Sequence, residues 1–319
     1  MTDLLDTLPA TYDPYDPSPA PIKGISSWCN PEFDILIPVA EKDILKLPHV
    51  LVGVRDFIPG YKDIWLVMQS VDAGTHLATL HLVEGLGMEA RVVYEQTAFP
   101  MNKSIIPHRP GWQYQQFLKL FQTFTRDMYL TLDCDIVIRS HLPMFAQDGR
   151  PIYWLGKNQH HEPYFRFQEL MELPGKVAPF SFVADMNFFD RTVIEDIIMA
   201  AGCADSKQFI DKAIKHTHPD CYLGEPELYG SFVYTMYREK YEYRKLRVAH
   251  GDAKLQKNRD EQLYPSARLQ EIIESVPVGS ADIIPIHSWF NEEAHHVEGL
   301  AGIRGAAGDD KLQQQFDRV

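Results

Sequence analysis

Cysteine is scarce in this chain of 319 residues. The four that occur, at positions 29, 134, 203 and 221, show no Cys-x-x-Cys spacing. That excludes a zinc ribbon and a disulfide framework, and it fits reduced thiols in a cytoplasmic setting. Positive charge is in deficit: 31 Lys and Arg against 44 Asp and Glu give a net charge of −13. So acidic a chain lacks the basic footprint that nucleic acid demands, and no nucleic-acid partner is expected. No apolar stretch approaches the roughly 20 residues needed to span a bilayer, so no transmembrane segment is expected. The N-terminus carries Asp3 and Asp6 instead of the basic and apolar regions of a secretory signal. An internal repeat and a glycine-rich phosphate loop near the N-terminus are missing too. One local excess of positive charge, Arg238, Lys240, Arg244, Lys245 and Arg247, reads as a solvated helix face. A peripheral contact with an anionic membrane is the other use of such a patch.

The hydrophobic fraction of 45% suffices for one large α/β core or two smaller ones. Residues 1–31 are rich in Pro, Asp and Ser and are expected as an extended arm. Residues 33–39, 64–68, 90–94 and 128–132 are short apolar runs, each expected as a strand, with Pro38 ending the first. Between them, apolar positions recur at helical spacing over 43–54 (interrupted near Pro48), 75–86 and 111–124. Strands alternating with helices signal a mostly parallel sheet covered on both faces. Residues 139–179 read as a long aromatic binding loop or lid, with His160, His161 and Tyr164 as candidates to face a ligand. Residues 180–189 are a further strand candidate. Residues 192–201, 206–215 and 228–241 read as helices, and Val248 and 283–286 as late strands. The chain thus divides into an arm (1–31), a first half (32–138), a second half (139–298) and a tail (299–319).

Within this pattern, Asp133-Cys134-Asp135 directly follows the apolar run 128–132. Two carboxylates at the end of a buried strand are costly unless paired, hydrogen-bonded or bound to a cation. Alternation along an extended chain puts Asp133 and Asp135 on one face. In open α/β sheets ligands bind at the carboxyl ends of strands. Hard divalent cations take carboxylate oxygens and leave positions for phosphate, so the pair suggests a Mg2+ or Mn2+ site for a phosphorylated ligand. The plainer reading is a strand end with two solvated acids.

Together with its neighbours, this motif resembles the GT-A fold of metal-dependent nucleotide-sugar glycosyltransferases. The run 33–39 is similar to that family's opening strand, whose end, here Val39, touches the nucleotide base. The segment from Gly111 to Leu120, with Trp112, Gln116 and Lys119, looks like the helix that precedes Asp-x-Asp in several such families. Gly224-Glu225-Pro226-Glu227-Leu228-Tyr229-Gly230 resembles a Glu-x-Glu-Leu-Tyr-Gly motif of bacterial and viral polysaccharide glycosyltransferases, departing from it at Pro226. The resemblance implies a GT-A-like, Rossmann-like single large domain. Its first half would bind a nucleotide-sugar donor, by analogy a UDP-sugar, and its second half a saccharide acceptor, free or lipid-linked. It implies that Asp135 binds Mn2+ or Mg2+ directly, with Asp133 on the ribose or on the ion through water. His287 resembles the histidine that completes the metal shell, with His250 as rival. Asp185 would hold sugar hydroxyls, and Lys119 a donor phosphate. Glu225 and Glu227 are the candidate general bases of an inverting transfer. Their plainer role is as acids at a helix N-terminus.

Two other readings remain open. Asp133-Cys134-Asp135-Ile136-Val137 also fits the Asp-x-Asp string of haloacid-dehalogenase-type phosphatases, although that string normally opens its domain and here follows three strand–helix units. A module that binds a nucleotide-sugar without turnover would use the same metal site.

Overall fold

The protein is described by a computed structural model covering residues 32–69, 73–156, 161–249, 270, 273–277 and 279–286. Strands β1 (Phe33–Val39), β2 (Tyr61–Met68), β3 (Arg91–Tyr94) and β4 (Met128–Leu132) pair in parallel, in the spatial order β3-β2-β1-β4. After β4 the chain leaves the sheet to form β5 (Ile136–Ile138) and β6 (Ile152–Leu155). It returns as β7 (Met186–Asp190), antiparallel to β4, with Leu132 opposite Met186. Two short pairs complete the strands: β5 with β9 (Ile283–Pro285), antiparallel, and β6 with β8 (Glu242–Lys245), parallel. The fold is α/β, with a mostly parallel central sheet flanked by helices.

Alternating side chains build a core on each face. Leu36, Val67, Tyr129 and Phe189 point to one, against Phe117, Leu118 and Phe121 of α4 (Pro110–Phe121). Ile35, Ile37, Leu66, Leu130 and Phe188 point to the other, against Val50, Leu51 and Val54 of α1 (Leu47–Phe57). Each such side chain contributes about 1.5–3 kcal/mol by leaving water. Burial on both faces is why β1 reads as an uninterrupted apolar run. Close packing also governs α1, where a Cβ on Gly53 would lie 2.9 Å from the Ile138 backbone nitrogen. At the amino ends of the strands, buried Asp34 accepts from the Asp63 amide, the Trp65 indole and both the amide and guanidinium of Arg126.

The remaining helices are α2 (Ala73–Gly85), α3 (Glu95–Ala98), α5 (Glu162–Leu170), α6 (Arg191–Ala200), α7 (Ser206–His216) and α8 (Glu225–Met236). Prolines depart most from expectation. Pro38 lies inside β1, because pairing with β4 ends at Leu36 and its missing N–H faces that open side. Pro48 starts α1 after a 3₁₀ turn (Glu41–Lys46) instead of interrupting a helix. Pro163 and Pro226 likewise sit in the first turns of α5 and α8.

Residues 139–179 are not one long loop: they contain β6 and α5. The strand expected over 180–189 is confined to Met186–Asp190. The basic patch is not a helix face, since it spans a 3₁₀ turn (Arg238–Lys240) and β8, and Arg247 is drawn onto buried Asp282. Val248 makes an isolated bridge to Ile283 rather than a strand. Among the described residues no helix is long and apolar enough to cross a membrane.

Helix α8 is held close to the segment before β7. A Cβ on Gly230 would fall 2.2 Å from the Phe182 ring. Helix propensity alone favours alanine there by about 1 kcal/mol, but no rotamer relieves a contact that short. Gly230→Ala should therefore lower stability by about 1–3 kcal/mol in urea unfolding. An unchanged or raised midpoint would show that Phe182 moves aside.

Candidate active site

The turn that follows β4 is fixed by backbone hydrogen bonds from two sides. The Asp133 amide donates to the Asp185 carbonyl (3.3 Å), and the Ile286 amide donates to the Asp135 carbonyl (2.7 Å). Both aspartates are half-buried, while Cys134 between them is buried beneath the turn and its thiol donates to the Asp43 carbonyl (3.6 Å). Burial pushes that thiol well up, so it is an inert packing group. His287 follows Ile286 in the chain but lies outside the described residues, as do His250 and His160.

Lys119, 4% exposed, reaches this turn from α4. Its Nζ lies 2.7 Å from Asp133 Oδ1 and 3.0 Å from Glu225 Oε1. The first contact brings opposite charges together without an aligned hydrogen bond, whereas the second is a hydrogen bond. Burial alone would lower the lysine's pKa, but the two carboxylates outweigh it and raise the value, so Lys119 remains an ammonium. Glu225 is raised by its own burial, against the pull of Lys119 and with the push of Asp133. Two carboxylates around one ammonium leave a negative charge uncompensated. The other oxygen, Glu225 Oε2, has no hydrogen-bond donor among the described residues.

The neighbours of Lys119 on α4 explain how Glu225 comes to be there. Gln113, Gln116 and Lys119 recur every three residues and line one face. Gln113 Nε2 donates to the Leu223 carbonyl (2.8 Å), and Gln116 Oε1 accepts the Glu225 amide (3.2 Å). The N-cap of α8 is Gly224, which has no side chain to satisfy the first-turn amides, so Gln116 does so from another helix. Gly224 is also where the Tyr164 ring packs, since a Cβ there would meet that ring at 2.8 Å.

Glu227 is fully buried on a different set of partners. Its Oε2 accepts from the Ser181 hydroxyl (2.8 Å) and the Phe182 amide (3.0 Å), and Oε1 lies 3.8 Å from Lys176 Nζ. The structure thus brings Asp133, Lys119, Glu225 and the Asp185 backbone together, leaves Asp135 two residues further along the turn with its carbonyl on the Ile286 amide, and assigns Glu227 to the loop before β7. Val39, at the end of β1, is buried in the core and its carbonyl accepts from the Gln69 amide (3.4 Å). Trp112 stacks parallel to Tyr164, and His161 Nε2 lies 2.6 Å from the Tyr222 hydroxyl. Sequence reasoning passed over Gln113, Ser181 and Tyr222. Only Gln113 carried a signal, its three-residue spacing from Gln116.

Two carboxylates form a donor set that Mg2+ or Mn2+ accepts, and by its chemistry the half-buried aspartate pair suits such an ion. Among the described residues no group of three or more His, Cys, Asp or Glu side chains is arranged to hold one.

No family profile matches the sequence, and no curated protein matches it. Among solved structures, the chain is similar to the galactosyltransferase LgtC in complex with donor and acceptor sugar analogues. That match has 13% identity and a TM-score of 0.41, over 88% of this chain and 99% of that one. Mouse xyloside xylosyltransferase 1 matches at 10% identity and a TM-score of 0.41, over 80% and 97%. The glycosyltransferase GlyE of Streptococcus pneumoniae TIGR4 matches at 12% and 0.42, over 82% and 57%.

Removing the ammonium should leave Asp133 and Glu225 facing one another. Lys119→Met is expected to cost about 3–5 kcal/mol. Adding Glu225→Gln should restore part of that loss, and strict additivity of the two substitutions would disprove the coupling. A second consequence concerns pH. Below the ordinary glutamate value of 4.5 both states hold the Glu225 proton; above it the unfolded chain releases the proton first. Stability from this group therefore declines as pH rises through that range and levels off above the raised native value. The unfolding free energy of the wild type minus that of Glu225→Gln should fall on going from acid to neutral pH, and a flat difference would contradict it.

Proposed function

We propose that the protein is a glycosyltransferase that moves a sugar from a nucleoside-diphosphate donor to a hydroxyl of a saccharide acceptor, in glycan or polysaccharide synthesis. The observation that carries this reading is the grouping at the carboxyl edge of the sheet. There Lys119 joins Asp133, two residues before Asp135, to Glu225, a buried carboxylate with one oxygen committed to the lysine and the other buried without a hydrogen-bond partner among the described residues. Uridine as the base, and a lipid-linked acceptor as one possibility, are inferred from sequence resemblance alone.

Asp133 and Asp135 would hold Mn2+ or Mg2+, with His287 as the further candidate ligand. Such an ion, when bound, neutralises charge on the departing diphosphate. Lys119 keeps its charge and fixes the orientation of Asp133 and Glu225, a positioning role in place of the phosphate contact expected from sequence. Glu225 Oε2 is the base of an inverting displacement. It takes the proton of the acceptor hydroxyl as that oxygen bonds to the anomeric carbon and the bond to the diphosphate oxygen breaks. A carboxylate made more basic by burial suits that task. Glu227 maintains the adjoining loop, and Asp185 would bind sugar hydroxyls, a role inferred from sequence resemblance.

The test is transfer from a panel of nucleotide-sugars with Mn2+ or Mg2+, preceded by thermal-shift selection of the nucleotide that raises the midpoint most. Asp135→Ala should abolish transfer with the fold intact. Glu225→Gln should lower kcat by about 10²–10⁴-fold with nucleotide affinity unchanged. Full transfer in excess EDTA would refute the metal site. An unaltered kcat in Glu225→Gln would remove it as the base.

A further inference from the structure

The two contacts of Lys119 differ in kind. Its hydrogen bond to Glu225 Oε1 is aligned, whereas Asp133 Oδ1 lies closer, at 2.7 Å, and receives no aligned hydrogen bond. Attraction between opposite charges holds the second contact. The two carboxylates also face different media. The Glu225 side chain is 2% exposed and that of Asp133 32%. Asp133 Oδ1 itself is sealed from solvent, so the exposure of that side chain falls on its other atoms. Asp133 therefore stands between solvent and the ammonium, dry on the lysine side and wet on the other.

A cation arriving from solvent reaches Asp133 from the wet side, and finds the carboxylate already facing a positive charge on its dry side. Burial disfavours the charge on Lys119, but the two carboxylates sustain it. Tethered by its own chain, this ammonium cannot be diluted away or exchanged for another ion. So close to a ligand carboxylate it neutralises the ligand and repels a divalent ion directly. Salt screens a buried pair of this kind only weakly. Neutral partners that hydrogen-bond to a ligand orient it and strengthen its hold on a metal; a full positive charge in that place does the reverse.

We propose that Lys119 is a tethered counter-cation that competes with a divalent ion for Asp133 and holds the protein's own affinity for that ion low. This rests on the reading of Asp133 and Asp135 as the residues that would hold the ion. When an ion binds, Lys119 yields the unaligned contact with Asp133 and keeps its hydrogen bond to Glu225.

The experiment measures Mn2+ binding by electron paramagnetic resonance of the free ion, on the full chain without nucleotide. Asp135→Ala, which should abolish binding, identifies the site. Lys119→Met/Glu225→Gln removes the ammonium and one carboxylate together. The cluster then keeps the wild type's single excess negative charge while Asp133 is released. This double variant should bind Mn2+ about tenfold more tightly than the wild type, the effect of one unit charge near a divalent ion. Lys119→Met, where its thermal midpoint shows it folded, should bind at least as tightly as the double variant. Glu225→Gln, in which Asp133 alone faces the ammonium, should bind less tightly than the wild type. The sign is diagnostic, because loss of a merely structural lysine would loosen the turn and weaken binding. Equal or weaker binding in the folded lysine variants would overturn the competition and leave the metal site standing, as would Glu225→Gln binding as tightly as the wild type. No binding to any of these proteins, or binding that Asp135→Ala does not alter, would remove the metal site and the competition with it.

Discussion

A single ammonium holds together parts of the chain that are far apart in sequence. Lys119 comes from the last turns of α4, Asp133 from the end of β4 and Glu225 from the first turn of α8, 106 residues beyond the lysine. Removing these charges from water is expensive, and a buried ion pair is seldom a net gain in stability over well-packed apolar groups. Its value here is geometric. The lysine can satisfy both carboxylates only if the helix, the strand end and the second helix keep their relative positions. Gln113 and Gln116 add neutral hydrogen bonds along the same face and hold the entry to α8.

The sheet supplies the frame in which that constraint operates. Its two ends are treated differently. At the amino end, Asp34 is saturated with donors from β2 and Arg126, a closed arrangement with no capacity left. At the carboxyl end, the carboxylates exceed the cations and Glu225 keeps an unused oxygen. Unspent hydrogen-bonding capacity lies at one end and not at the other, which accords with where open α/β sheets place ligands.

Much of the frame could be read from the sequence because burial on both faces leaves an unmistakable apolar run. This is how β1 to β4 and the Asp133–Asp135 turn were located. Strand β8 escaped notice because Glu-Tyr-Arg-Lys has no apolar run, and β6 and α5 were hidden in a stretch broken by prolines. Proline was misjudged at Pro48, read as interrupting a helix; it stands in that helix's first turn, as Pro163 and Pro226 do in theirs, where the missing N–H has no partner to lose. Within the site, the identities of Asp133, Lys119 and Glu225 were legible, but their mutual contacts were not. No local pattern reports a partner 106 residues away, and none reveals that Gln116 caps another helix.

Helix α4 carries Trp112 at its start and Lys119 near its end on one rigid rod. Trp112, at its start, lies seven residues from Lys119, about 10 Å along the axis. A hydrogen-bonded helix cannot stretch or shorten by useful amounts, so it acts as a fixed ruler between the Trp112–Tyr164 stack and the acidic centre. The spacing between that stack and the Lys119 contacts is therefore dictated by the backbone and not by side-chain choice. Inserting or deleting one helical turn would change it by about 5.4 Å, more than any side-chain substitution there could.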